Sequence, residues 1–171
     1  MTMSKVFSRM RQNKPTILAI DPGYDRLGMA VLKENTLIYS TCIQTRKTDS
    51  HEKRLLQIGN EIESAVKAYR PDLVAVEKLF WGTNQKTALA VGESRGVILF
   101  VAAKNSLPIF EYSPIEIKIA VTGYGRSTKD QIMKMVPKII RIEKNITSDD
   151  EFDAIAVGIT CLSTYRMGLQ K

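Results

Sequence analysis

Three strand signals crowd into the first 45 residues, and only after them do strands and helices alternate. Residues 17–20 form a short apolar run that stops at Asp21-Pro22-Gly23, a strand followed by a turn. Residues 28–32 read as a second strand, Glu34-Asn35 as a turn and residues 36–45 as a third strand, so the chain opens with antiparallel hairpins. A helix capped by Ser50 is predicted over 50–69, with Leu55, Ile58, Ile62 and Val66 on one stripe, and Arg70-Pro71-Asp72 ends it. Residues 73–76 read as a buried strand that delivers Glu77 at its C-terminal end. A long helix over 84–105 and a strand over 109–112 come next. Three further helices open at Ser113-Pro114, at Ser127 or Thr128, and at Ser148 or Asp149; they run to about 121, 141 and 166, with Pro137 inside the second. Hairpins followed by β–α alternation predict an α/β fold, a mixed five-stranded sheet flanked by helices.

At 171 residues the chain suits one domain. Two cysteines and one histidine cannot build a zinc site of four such ligands, nor a disulfide framework, so a reducing cytoplasm is the expected compartment. No apolar run approaches the roughly 20 residues of a membrane-spanning helix. The net charge is +7, and Lys5, Arg9, Arg11 and Lys14 supply four of those charges from a stretch without acids. Residues 1–15 therefore read as a basic, flexible tail ahead of a single domain over 16–171; they lack the apolar core of a secretion signal. A basic balance favours polyanions such as nucleic acid.

Four acids stand out by position. Asp21 and Glu77 end strands, while Asp150 and Asp153 share a face in the first turn of the last helix. Taken singly, Asp21 could be a turn former, and Asp150 and Asp153 could complement the helix dipole. Gathered in one cleft, the four would repel one another unless a cation arrived. Mg²⁺ or Mn²⁺, which take oxygen ligands, answers that need. Two such ions about 4 Å apart can activate a water and stabilise the leaving oxygen of a phosphodiester.

The motifs have a family look. Asp21-Pro22-Gly23 with Gly28 forms one block, and Val76-Glu77-Lys78-Leu79-Phe80 with Asn84, Ala88-Leu89, Gly92 and Arg95-Gly96 forms a second. Tyr112-Ser113-Pro114, Lys118, Thr122-Gly123-Tyr124-Gly125 and Lys129 form a third, and Asp150-Glu151-Phe152-Asp153-Ala154-Ile155-Ala156 closes the set. In this order and spacing, over roughly residues 16–166, the chain resembles the RuvC family of Holliday junction resolvases. The resemblance implies a ribonuclease-H-like fold and a homodimer that cuts four-way junction DNA by paired symmetric nicks, in recombination and repair. It implies hydrolysis with two Mg²⁺ ions per site, Mn²⁺ substituting, held by Asp21, Glu77, Asp150 and Asp153. A branch-migration motor complex is a further partner to expect. Gly92 and Gly96 then have two readings, packing on the sheet or pairing with a partner helix.

Residues 114–145 carry seven basic groups against three acids. Lys118 and Lys129 match family lysines that contact DNA, and Arg126 in the glycine loop is a third candidate; Lys134, Lys138 and Arg141 fit a solvated helix face. Phe80 matches a family aromatic that stacks on unpaired bases, whereas Trp81 reads as core and Lys78 as pointing away. His51 reads as a surface residue. The chain departs from the family at Glu151 and Phe152, where two small residues are usual. Glu151 could compete as a ligand, although it points about 100° from Asp150 on an ideal helix, and Phe152 must find room beside the site. Two alternatives remain: a ribonuclease-H-like nuclease with another nucleic-acid substrate, and a catalytically silent junction binder.

Overall fold

In the computed structural model, residues 14–79 and 85–166 are described. They form β1 (Thr16–Asp21), β2 (Arg26–Lys33), β3 (Thr36–Gln44), α1 (His51–Tyr69), β4 (Leu73–Glu77), α2 (Gln85–Lys104), β5 (Ile109–Tyr112), α3 (Pro114–Thr122), α4 (Lys129–Ile139) and α5 (Asp149–Arg166). The sheet runs β3-β2-β1-β4-β5. β1 pairs antiparallel with β2 and parallel with β4, so the sheet is mixed, as the pattern predicts, and the hairpins and the β–α alternation meet at β1. The tail expected over 1–15 lies outside the described residues as far as residue 13; Lys14 Nζ reaches Glu34 at 2.9 Å and Pro15 is buried.

Strand side chains alternate between faces, and the two faces have separate cores. Leu18, Ile20, Val74 and Val76 meet Ile58 and Ile62 of α1 and Ile98 and Val101 of α2. Ile17, Ala19, Leu73 and Ala75 meet α3, α4 and above all α5, which supplies Ala154, Ile155, Val157 and Ile159. This second interface is lined with small residues. A Cβ on Gly158 would stand 2.4 Å from a Leu32 methyl and 3.2 Å from the Ala19 Cβ. A Cβ on Gly28 would stand 2.0 Å from the Asp150 carbonyl oxygen. Glycine thus lets the main chain of α5 meet the main chain of β2 at Gly28, and lets α5 settle onto the Leu32 and Ala19 side chains at Gly158.

Helix ends follow local chemistry. Ser113 caps α3 in a reciprocal box with Glu116, Pro114 opens its first turn, and Gly123 closes it at φ 78°. Thr128, rather than Ser127, caps α4 in the same way with Gln131; Ser127 is buried instead, its hydroxyl bonded to Thr122 and to the Tyr124 carbonyl. Ser50 stands at the α1 N-cap but does not cap: its hydroxyl donates to Glu52 at 2.5 Å. The glycines of α2 do not pack on the sheet. Ser94, Ile98, Val101 and Ala102 do so, and a Cβ on Gly92 or Gly96 would meet nothing within 4 Å.

Candidate active site

The site begins with the register of two parallel strands. Ile20 of β1 lies opposite Val76 of β4, so Asp21 and Glu77, each one residue further on, leave the sheet side by side. Alternation sends both toward the face covered by α5, because they share it with Ala19 and Ala75. The first turn of α5 comes down on that strand end, held close by Gly28, and brings Asp153 to the same place. Asp21, Glu77 and Asp153 line one cleft of about 280 Å³ with Lys118 of α3 and Lys129 of α4; Pro114, Ile117, Ile132 and Ala156 form its apolar wall.

These carboxyl groups are short of positive charge. Burial, then the negative charges of Glu77 and Asp153, a hydrogen bond with Glu77 and the charge of Asp150, hold the Asp21 pKa well above the usual carboxylate range. Burial likewise raises Glu77, against a hydrogen bond from Asp21 that lowers it, with Asp153 raising it and Lys118 and Lys129 lowering it. Burial also raises Asp153, although Lys129 pulls the other way. Lys129 Nζ bridges Asp153 at 2.8 Å and Asp149 at 2.9 Å. Burial works against its charge, yet these two partners keep its pKa above that of an ordinary lysine.

Asp150 stands beside the cleft rather than in its wall. Its charge is felt by Asp21 and Asp153, but its Oδ2 accepts from Arg26 Nε at 2.6 Å, Ser148 Oγ at 3.0 Å and Cys42 Sγ at 3.2 Å. Hard oxygen donors with unmet negative charge suit a divalent cation. Among the described residues no three acid, histidine or cysteine groups stand as a ligating set; Asp153 is paired with Lys129 and Asp150 with Arg26.

The two departures resolve in opposite directions from the cleft. Glu151 is buried on the far side, where its carboxylate accepts from Ser40 Oγ at 2.5 Å and Lys144 Nζ at 2.6 Å. It does not compete for the site. Phe152 packs, half-buried, on the apolar core beneath α5. Arg126 is exposed in its loop and is not part of the cleft wall; Lys78, Lys134, Lys138 and Arg141 are exposed, as is His51, which contacts Tyr24 and Glu93. Phe80, Trp81 and Asn84 lie outside the described residues.

Two arginines escaped the sequence reading. Arg26 belongs to β2, which starts two residues earlier than its apolar pattern. Arg54 was not singled out at all, yet it is buried, 3.7 Å from the centre of the Tyr24 ring, and its guanidinium holds Thr45 Oγ1 at 2.9 Å and the Asp25 carboxylate. It braces the turn that follows Asp21. Ser94 adds a bond to the Gly23 carbonyl at 2.8 Å. The nearest local signal was the density of turn residues after Asp21.

Comparison with known proteins bears on the family and the fold. The family model described as "Crossover junction endodeoxyribonuclease RuvC" matches residues 17–161. The protein of that name from Petrotoga mobilis is 45% identical over 154 residues, 88% of this chain and 94% of the relative. Its counterpart from Thermosipho melanesiensis is 43% identical over 145 residues, 82% of this chain and 92% of the relative. The structure of Thermus thermophilus RuvC in complex with Holliday junction substrate superimposes with a TM-score of 0.85 at 26% identity, covering 90% of this chain and 96% of that one. The sheet and its flanking helices are thus the ribonuclease-H-like fold that the motifs imply. With a family match that takes in all four acids and both lysines of the site, the chain belongs to the RuvC family of crossover junction endodeoxyribonucleases.

Proposed function

We propose that this chain is a structure-selective endodeoxyribonuclease that resolves four-way DNA junctions, with the cleft around Asp21, Glu77 and Asp153 as its active site. The observation that carries the reading is the convergence of those three half-buried carboxylates with Lys118 and Lys129. Asp150 joins them as a fourth ligand of two Mg²⁺ ions, with Mn²⁺ as substitute. When bound, such ions supply Lewis acidity to the phosphodiester and a nucleophile at neutral pH. The protein's share is to fix the oxygens that hold them, on two strand ends and one helix end, and to seat the phosphate. Lys118 and Lys129 face the cleft and contact the phosphate; Arg126, from its exposed loop, and Phe80 contact DNA beyond it.

The enzyme works as a homodimer through α2. Leu89 and Phe100, each 64% exposed, flank the uncovered Gly92 and Gly96 on one outer stripe, a surface that suits close approach of a second copy. Symmetric nicks need two sites related by a twofold axis. The basic tail leads up to Lys14 and Pro15, which sit on the domain, the protein is cytoplasmic, and a branch-migration motor complex is its further partner. Among the described residues no helix is long and apolar enough to cross a membrane.

The experiment is a denaturing-gel assay on a labelled synthetic junction and a linear duplex, with wild type and Asp153→Asn, in Mg²⁺ and in EDTA. Paired symmetric nicks only with wild type, Mg²⁺ and junction are expected. Equal cutting of duplex and junction would leave a nuclease without junction selectivity. Tight binding without cuts, in Mn²⁺ as well, would leave a silent binder.

A further inference from the structure

Asp150 differs from the other acids because a cation already holds it. Arg26 Nε donates to Asp150 Oδ2 at 2.6 Å, and Nη2 makes a second contact to the same oxygen. The same Nη2 reaches Asp149 Oδ1 at 3.1 Å and Ser148 Oγ at 3.1 Å. Ser148 Oγ and Cys42 Sγ complete the shell of that oxygen at 3.0 and 3.2 Å. The guanidinium sits at the start of β2 with its side chain 49% exposed, while Asp150 is 19% exposed. A divalent ion approaching Asp150 therefore meets a positive charge in place. An arginine fork fits carboxylate and phosphate oxygens alike, and a half-exposed pair is readily exchanged.

We infer that Arg26 is a positioning residue that holds Asp150 in the free protein, yields it to a divalent ion, and passes its guanidinium to a phosphate of the bound DNA. The inference rests on the reading of the cleft as a divalent-metal nuclease site. It assigns Arg26 two linked roles, a competitor for the metal and a contact for the substrate. Removing it should then improve metal binding and weaken DNA binding, opposite effects that loss of structure does not produce together.

The test titrates Mn²⁺ against the full-length chain without DNA, reading free Mn²⁺ by its electron paramagnetic resonance signal. Wild type, Arg26→Gln, Arg26→Lys and Asp21→Asn are compared, with thermal melts as a check on folding. Arg26→Gln should bind Mn²⁺ about three- to tenfold more tightly, Arg26→Lys should fall between it and wild type, and Asp21→Asn should bind at least tenfold more weakly than wild type. In Ca²⁺, junction affinity of Arg26→Gln should lose about one unit of log–log salt slope for each Arg26 engaged. If Arg26→Gln matches wild type in Mn²⁺ affinity while Asp21→Asn is weakened, the metal reading survives and the inference fails. If Asp21→Asn also matches wild type, or none of the proteins takes up Mn²⁺, the metal reading fails with it. Tighter Mn²⁺ with an unchanged salt slope overturns the phosphate contact. Should Arg26→Gln fail to fold, an Arg26→Lys affinity equal to wild type overturns the competition.

Discussion

The main-chain oxygen of Asp150 occupies the space that a side chain on Gly28 would need, with an ideal Cβ only 2.0 Å away. The acid-bearing turn of α5 is thus set on β2 by backbone contact. Gly28→Ala must push that turn off the strand. It should cost about 2–4 kcal/mol by urea denaturation, because overpacking here meets backbone rather than a yielding side chain. Cleavage by the folded fraction should fall at least a hundredfold, since ligands displaced by an ångström lose their geometry.

Glu151 and Asp153, two residues apart, should separate stability from chemistry. Glu151→Ala removes a buried acceptor from Ser40 and Lys144 and should cost about 1–3 kcal/mol, with cleavage per folded molecule unchanged. Asp153→Asn should leave the melting temperature within a few degrees of wild type yet cut cleavage by about a thousandfold or more. Single-turnover rates and melting curves on both variants check this.

In EDTA the site should penalise folding at neutral pH. Asp21 has a raised pKa in the folded state, so the native chain keeps a proton that the unfolded chain releases near 3.8. The contribution of Asp21 is present below that value and is lost as pH rises through the raised one. Asp21→Asn has no such proton to lose. It should melt above wild type at pH 8 in EDTA, and the gap should narrow toward pH 4. Millimolar Mg²⁺ should raise wild type and leave the variant nearly unmoved.

Lys129 bridges Asp149 and Asp153 at the mouth of the cleft. Lys129→Met should slow cleavage about a hundredfold or more. It should also reduce the salt slope of junction binding in Ca²⁺ by about one per subunit engaged. Lys134→Met, on the exposed face of α4, should do neither.

The acids were legible because each sits where a local pattern stops. Continuous apolar runs end at Asp21 and Glu77, and a helix starts at Asp149. Their convergence rests on β1 and β4 being parallel neighbours, which the mixed pattern allows but which only the strand order shows. Arg26 and Asp150 were not legible as a pair. They are 124 residues apart, and no local period records a partner across that distance. Arg54 was hidden for another reason: it lies one turn before Ile58 on the buried stripe of α1, but a charged side chain there finds a partner only when the turn after Asp21 folds over the helix. That Gly92 and Gly96 do not pack on the sheet could be learned only by seeing which side of α2 meets it.

The seam between α5 and the sheet, made of Ala19, Ala75, Ala154 and Gly158, has a consequence for how such a chain changes over time. Because only methyl-sized groups separate α5 from the sheet there, the spacing of the acids does not depend on how large side chains elsewhere interlock. Substitutions on the outer stripe of α2 or the exposed face of α4 can accumulate without retuning the chemistry. A lineage can therefore revise what this enzyme docks against while its cutting centre stays as it was.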